Sequence, residues 1–417
     1  MITHYRERNI QNHQNNGQLN RQLKDFQETN EENEEEKEKG ITIFNSFIDL
    51  ILSNDKYSRI EGYTSLNESI SHYYLPMIEH YLESIIKAIK QSFKQTDENE
   101  ISIAFKTLEL ISITLPQEAF NLYNIFSDLC IHFMNFSTFS AVRKSSIEFL
   151  TLSSLLLSKT ENNDIAAQIL KTNVNLLIRK DFPKNIEFSD YISALLESIS
   201  ICLTILPQEI LLKTIKVKME NEAEKEIAIF DYLMDHLRNF LNYGSEIVRA
   251  SSGETIALLY SIRDSIEEET CFNTEIDDDQ VIKQLEELLN EASKNISRKT
   301  KCTQRSKFRR ILKSVKECEY PETLLNLNYF KIELKNWKNV KQLDYLRNIL
   351  AGGFLKHCLK NPIIAQLFNY EHLTEKKYVI RHNKKAKSQN YKKIKKNRQK
   401  IRAKERQFKI EKQEMNY

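Results

Sequence analysis

LELISITLPQEAFNL, residues 108–122, carries the letters LPQE at Leu115–Glu118, and they return at Leu206–Glu209 behind a similar run, SISICLTI. Each copy follows a Ser/Ile/Leu-rich helical segment. Its proline cannot continue that helix, yet the fixed φ suits the first turn of another, so LPQE reads as the joint between two helices. The copies stand 91 residues apart, close to two repeats of about 45, the length of a paired-helix unit of HEAT or armadillo type. The expected fold is therefore all-α: a HEAT/armadillo-like α-solenoid, then a small, mostly helical C-terminal domain and a basic helical tail.

A second repeated feature agrees. AVRKSSIEFLTLSSLLL (Ala141–Leu157) and IVRASSGETIALLYSI (Ile247–Ile262) share a Val-Arg opening, small residues and an apolar face. YSRIEGYTSLNESI (Tyr57–Ile70) and ISIAFKTLELISI (Ile101–Ile113) are weaker versions. Small residues let helices approach closely, and the apolar spacing buries one face against the next pair. Arg143 and Arg249 are expected to bridge helix ends rather than bind a ligand. Asn67-Glu68 and Asp97-Glu98 are expected at helix starts or turns. Only seven Gly and six Pro occur in 417 residues, too few for the turns a sheet-rich fold needs.

The composition divides the chain into five parts: an acidic, Gln/Asn-rich extension (1–40) expected to be disordered, the solenoid (41–263), an acidic linker (264–280), a C-terminal domain (281–370) and a basic tail (371–417). In the C-terminal domain ETLLNLNYFKIELKNW (Glu322–Trp337) alternates like a strand pair, with Leu325, Leu327, Tyr329, Ile332 and Leu334 on one side. Helices are expected over Lys341–Cys358 and, capped by Asn361, over Pro362–Phe368. Trp337 reads as a core anchor in preference to a base-stacking platform, and His357 as a core or capping residue.

Charge is distributed unevenly. The stretch Lys376–Lys412 holds 17 Lys or Arg and two Glu, whereas the chain as a whole is only +3. An acidic body with a strongly basic end points to a polyanionic partner, most often nucleic acid. A second basic run, Lys294–Lys316, has ten Lys or Arg and no acid. Within it Phe308, Ile311, Leu312 and Val315 recur at helical spacing, so one face is core and the other positive. The RNA-binding candidates are Lys294, Arg298, Lys299, Lys301, Arg305, Lys307, Arg309 and Arg310 in this run. In the tail they are Lys384, Lys385, Lys387, Lys392, Lys393, Lys395, Lys396, Arg398, Lys400, Arg402, Lys404 and Arg406. Ile394, Ile401, Phe408 and Met415 recur every seven residues, which gives a tail helix one narrow apolar stripe. Like charges at i,i+4 oppose that helix in water, and phosphates would relieve them, so it is expected to fold on binding. KKIKKNRQK (Lys392–Lys400) also fits a nuclear-import cluster, and a general affinity for RNA is a third reading.

Other classes find no support. There is no phosphate-binding Gly-rich loop, no H-E-x-x-H and no G-x-S-x-G. The six Cys form no C-x-x-C pair, which fits reduced core thiols in a cytosolic or nuclear protein. No run of 18 apolar residues and no N-terminal signal core occurs. A non-enzyme is expected, with no cofactor, metal, membrane partner or small-molecule substrate.

From Gln304 onward the chain resembles the C-terminal domain of the interferon-related developmental regulator family. The resemblance is carried by Gln304-Arg305-Ser306, Phe308-Arg309, Ile311-Leu312, Pro321, Glu322-Thr323, Trp337, Leu350, Gly353, His357, Asn361 and Phe368. Arg249, Gly253-Glu254, Ala257 and Leu258-Leu259 resemble the family's N-terminal domain. The family usually has Gly where Ala351 stands, and another near Glu371. The resemblance implies a non-enzymatic protein in one of two roles. In the first it binds translationally inactive ribosomes and their rRNA, with the solenoid near the tRNA sites and a C-terminal helix in the mRNA path. In the second it is a transcriptional co-regulator acting through histone-deacetylase complexes. The first implies cytoplasmic protein and the second nuclear protein. A protein partner along the solenoid is a further expectation.

Overall fold

Asp55 and Asp97 show how the helices begin. Each stands before a helix in extended backbone and accepts from the amide three residues on, Ser58 N at 2.8 Å and Glu100 N at 2.9 Å, satisfying one of the donors a helix start leaves open. The computed structural model describes residues 34–158, 163–177, 179, 186–207, 213–217, 225–265, 278–291, 298–327 and 330–370. All fall in the first of the chain's two units, Met1–His372. The tail and its candidate contacts, Lys384 to Arg406, lie outside the described residues, as do Lys294 and the first 33 residues.

Among the described residues twelve helices form six pairs: α1 (Glu34–Ile51) with α2 (Lys56–His72), α3 (Leu82–Ser92) with α4 (Glu98–Thr114), α5 (Ala119–Phe136) with α6 (Ser140–Leu157), α7 (Asn163–Leu177) with α8 (Ser189–Ile205), α9 (Ile229–Leu241) with α10 (Glu246–Arg263), and α11 (Asp278–Glu291) with α12 (Arg298–Glu317). The second helices pack in order, α2 on α4, α4 on α6, α6 on α8, α8 on α10 and α10 on α12. This all-α solenoid is the expected architecture. The two LPQE copies lie two helix pairs apart, after α4 and after α8.

The joint behaves as read at the first copy: Leu115 caps α4, and Pro116 opens a 3-10 turn that runs into α5. After the second copy the next described element is a strand, β1 (Thr214–Val217), paired antiparallel with β2 (Lys225–Ala228). This insertion in the repeat was not foreseen. Asn67-Glu68 is also corrected: it lies inside α2, and the Asn67 amide donates to Ile103 O of α4 at 3.2 Å. An Asn with a long-range carbonyl to bond has no need of a helix start.

The repeated arginine is structural. Arg59, Arg143 and Arg249 are each the fourth residue of a second helix. Each reaches back to a carbonyl just past the end of the preceding first helix, Asn54 O at 2.9 Å, Ser137 O at 2.6 Å and Tyr243 O at 2.9 Å. Those carbonyls have no partner within their own helix. Small hydroxyls then join successive second helices: Thr151 donates to Ser198, and the Ser200 and Thr255 hydroxyls meet at 2.7 Å.

The hairpin β3 (Glu322–Leu327) and β4 (Phe330–Lys335) pairs Leu325 with Ile332 and Leu327 with Phe330. Its period of two places Leu325, Leu327 and Leu334 in the core. Next comes α13 (Asn336–Leu350), shorter than the expected Lys341–Cys358 because a 3-10 turn at Ala351–Gly353 separates it from α14 (Phe354–Lys360). Ala351 takes φ 43° there, a conformation that ends a helix and favours glycine. Asn361 caps α15 (Pro362–Leu367) as expected, accepting from Ile363 N at 3.1 Å.

This C-terminal segment crosses α12, α10, α8 and α6 in reverse order and ends against α2 and α4. Trp337 donates to Ser314 Oγ of α12 at 2.8 Å, Lys341 to Glu254 of α10 at 2.9 Å, Gln342 to Thr204 of α8 at 2.8 Å, and Tyr345 to Glu148 O of α6 at 2.7 Å. His357 Nε2 then donates to Ile70 O of α2 at 2.9 Å, and Asn361 to Ile113 O of α4 at 2.8 Å. The surface of α6, α8 and α10 that faces α13 is thus occupied by the chain itself. Apolar burial does most of the work: Trp337, Val340, Leu343, Leu346 and Leu350 are at most 1% exposed, and each such side chain contributes about 1.5–3 kcal/mol.

Two predictions follow from where the segment meets α2. A Cβ on Gly353 would stand 1.9 Å from Ser71 O, so Gly353→Ala is expected to cost at least about 2 kcal/mol, whereas Ala351→Gly, relieving the positive φ, is expected to gain about 1 kcal/mol in urea unfolding. His357 is fully buried, and burial pushes its imidazole down to about 4. The unfolded chain then binds a proton below about pH 6.5 that the folded chain refuses until near pH 4. Stability should fall through that window, by on the order of 3 kcal/mol from this residue, and His357→Gln should flatten that slope when Tm is measured against pH.

Candidate nucleic-acid interface

α12 is positioned by its apolar spacing. Phe308, Ile311 and Val315 are buried and Leu312 half-buried, on one stripe that packs against α10 and α11. The approach to α10 is close: a Cβ on Gly253 would have Ile311 Cδ1 at 3.1 Å, which is the reason for a small residue there.

The opposite face carries cations. Arg305, Arg309, Lys313 and Lys316 follow one another at steps of four, four and three residues, so they share a face over ~16 Å of helix. All four are exposed. Lys313 pairs with Glu319 at 2.7 Å and Lys316 with Glu286 of α11 at 2.8 Å. Arg305 and Arg309 have no carboxylate partner among the described residues. Solvated pairs of this kind contribute only about 0–1 kcal/mol, so a phosphate can replace the carboxylate at little cost. Like charges at i,i+4 disfavour the helix by a few tenths of a kcal/mol. The fold gains nothing from Arg305 beside Arg309.

Of the eight candidates in this run, the structure brings Arg305, Lys307 and Arg309 to the surface of α12. Arg298, Lys299 and Lys301 belong to its first turn, and nothing further is described of their side chains. Arg310 differs. Its guanidinium pairs with Glu254 at 3.2 Å and stacks 4.7 Å over Trp337. It is part of the junction between α10, α12 and α13, and Trp337 is the core anchor expected of it.

That junction is the main arrangement sequence reasoning missed. Lys341 is 4% exposed and bonds Glu254. Burial alone would raise the Glu254 carboxyl; Lys341, Lys307 and Arg310 outweigh it and hold the group below its ordinary value. Burial would likewise lower Lys341, and Glu254 and Glu197 outweigh it. Further along α13 the cations do not outweigh burial, although Lys106 reaches Glu109 at 3.0 Å and Lys144 stands 3.9 Å from Glu148. Burial, with Glu109 adjacent, pushes Glu148 up to about 8, and burial raises Glu109 and Glu197. One signal was available: Glu148, Glu197 and Glu254 each stand ninth in their helix, a lone carboxylate in an otherwise apolar or hydroxyl-bearing run.

Among the described residues no group of His, Cys, Asp or Glu could hold a metal ion, and no helix is long and apolar enough to cross a membrane. The fold and this charged face define a helical-repeat scaffold. Residues 12–316 match the pattern of the family described as Interferon-related developmental regulator (IFRD), and the chain belongs to that family. Interferon-related developmental regulator 1 of Mus musculus is 24% identical over 36% of this chain and 32% of its own length. The Sus scrofa protein of that name is 25% identical over 43% and 35%. The chain thus spans about a third of the length of the curated relatives it matches. Among solved structures, a designed armadillo repeat protein is 10% identical at a TM-score of 0.31, over 64% of this chain and 99% of that one.

The buried pair makes a direct prediction. Lys341→Met should destabilise the protein by about 3–5 kcal/mol, because Glu254 loses its buried partner and keeps Arg310 as its direct ion pair. Adding Glu254→Gln should recover part of that loss. Urea unfolding of the single and double variants measures both.

Proposed function

We propose that this chain is a non-enzymatic RNA-binding factor, with the ribosome as its target. The exposed row Arg305, Arg309, Lys313 and Lys316 on α12 is the observation that carries the reading. It is one-sided and only loosely paired, and the fold does not require it. Cations arranged along a rigid helix suit a sugar-phosphate backbone, whose spacing is regular and whose contacts need no base identity. The basic stretch Lys376–Lys412 adds charge for the same class of partner. What makes that RNA ribosomal is the family, whose resemblance implies a factor of idle ribosomes. On this reading the protein occupies space that mRNA or tRNA would need, and so represses translation or preserves dormant ribosomes in the cytoplasm.

Binding of this kind is strongly salt-dependent. With about six phosphate contacts, the log–log slope of affinity against salt should be about −4 to −5. The double variant Arg305→Glu/Arg309→Glu should keep the helical circular-dichroism spectrum, make the slope less negative by about 1.5 and weaken co-sedimentation with non-translating ribosomes. Removing Lys376–Tyr417 should weaken it further. An intact protein that stays at the top of a low-salt gradient would sink the proposal, and steady nuclear accumulation without ribosome association would favour the co-regulator role instead.

A further inference from the structure

Round α12 from the cation row, α10 and α12 leave a cleft of about 140 Å³, lined by Glu246, Ile247, Ala250 and Glu254 from α10 and by Gln304 and Lys307 from α12. Two of its groups are short of partners. Gln304 is 4% exposed, yet its carboxamide oxygen accepts no hydrogen bond among the described residues. A buried acceptor left in that state costs about 1–3 kcal/mol. Glu246, half-buried at the first turn of α10, forms no ion pair among the described residues. The Glu254 carboxylate is committed to Arg310 and Lys341. Ile247 is 54% exposed and supplies apolar surface next to these acceptors. Lys307 is exposed at the edge of the cleft; it stands two residues from both Arg305 and Arg309, so a strand held by those two must cross α12 to reach it.

The missing partner is therefore a donor with an apolar face, arriving where cations attract phosphate. We propose that the cleft receives a splayed nucleobase bearing an amino group (guanine, cytosine or adenine) from single-stranded RNA that crosses α12. The amine would donate to Gln304 Oε1 and the Glu246 carboxylate, the ring would cover Ile247 and Ala250, and the adjoining phosphate would meet Lys307. At about 30 Å³ per water, the cleft has room for one planar ring and not for a peptide helix. Uracil fits less well: its edge offers a single N–H between two carbonyl oxygens, so it could donate to one of Gln304 and Glu246 and would turn a carbonyl toward the other. An arginine side chain could also donate there, but its charge would stand beside the Lys307 ammonium. RNA-binding proteins commonly read single strands this way, through bases turned out of the stack.

This inference rests on the RNA-binding reading, and one experiment separates their failures. Fluorescence anisotropy of the full chain would compare a short oligouridine with the same strand carrying one central guanosine, cytidine or adenosine. The substituted strands are expected to bind about five-fold tighter. Gln304→Met, which removes the acceptor at similar volume, and Ala250→Met, which fills the cleft, should each abolish that preference and leave oligouridine affinity unchanged. Arg305→Ala should weaken all four strands alike. No preference in the intact protein, or one that survives both variants, overturns the cleft assignment alone, as would an arginine-rich peptide that Ala250→Met excludes while strand preference stays. If no oligonucleotide binds, the RNA reading falls with it.

Discussion

The ammonium of Lys341 has almost no access to water and is held against Glu254 at 2.9 Å. A buried cation is tolerated only where a carboxylate meets it, so this contact sets where α13 lies on α10, and everything downstream follows from that seat. A stack of helix pairs is otherwise a loose object: each pair touches only its neighbours, and small rotations at each joint accumulate along the array. Here one segment of the same chain bonds α12, α10, α8, α6, α2 and α4 in turn. The joints therefore cannot rotate independently, and the relative placement of the helix pairs is part of the native structure.

That rigidity bears on what the cations can do. Bases in this chain fall into two groups with different neighbours. Arg59, Arg310 and Lys341 are turned inward onto Glu100 and Glu254, where their removal would leave a buried carboxylate short of charge. Arg305, Arg309, Lys313 and Lys316 face water and are paired weakly or to no described residue. The first group builds the scaffold on which the second is displayed. A row of charges on a helix that is itself fixed to a braced scaffold has a definite spacing, which a row on a mobile arm lacks.

Much of this was readable beforehand, for reasons visible in particular residues. The LPQE joint and the Val-Arg opening are local: a proline restricts its own φ, and an arginine four residues into a helix reaches the carbonyls just before it. The hairpin at 322–335 and the apolar stripe of α12 are periodicities that survive into the fold. What could not be read is where distant segments meet. Nothing near Lys341 in the sequence indicates Glu254, 87 positions earlier, and the Ala351 turn interrupts a helix whose apolar pattern continues across it. Arg310 looked like its neighbours because charge alone does not reveal which side of a helix faces Trp337. The β1–β2 pair, between the second LPQE copy and α9, has no signal in the sequence strong enough to announce it.

The reversed path of the C-terminal segment has a consequence for how the molecule is made. α2 is synthesised well before α14, and its Ile70 carbonyl is met by His357, 287 residues later. Each helix pair can form as it emerges, since its contacts are local and such contacts form fast. The brace cannot close until nearly all of the described chain has left the machinery that builds it. Until then the faces of α6, α8 and α10 that α13 will cover are open to water, and exposed apolar surface of this kind is where nascent chains aggregate or recruit chaperones. Only a chain translated past Asn361 carries every bond of the brace.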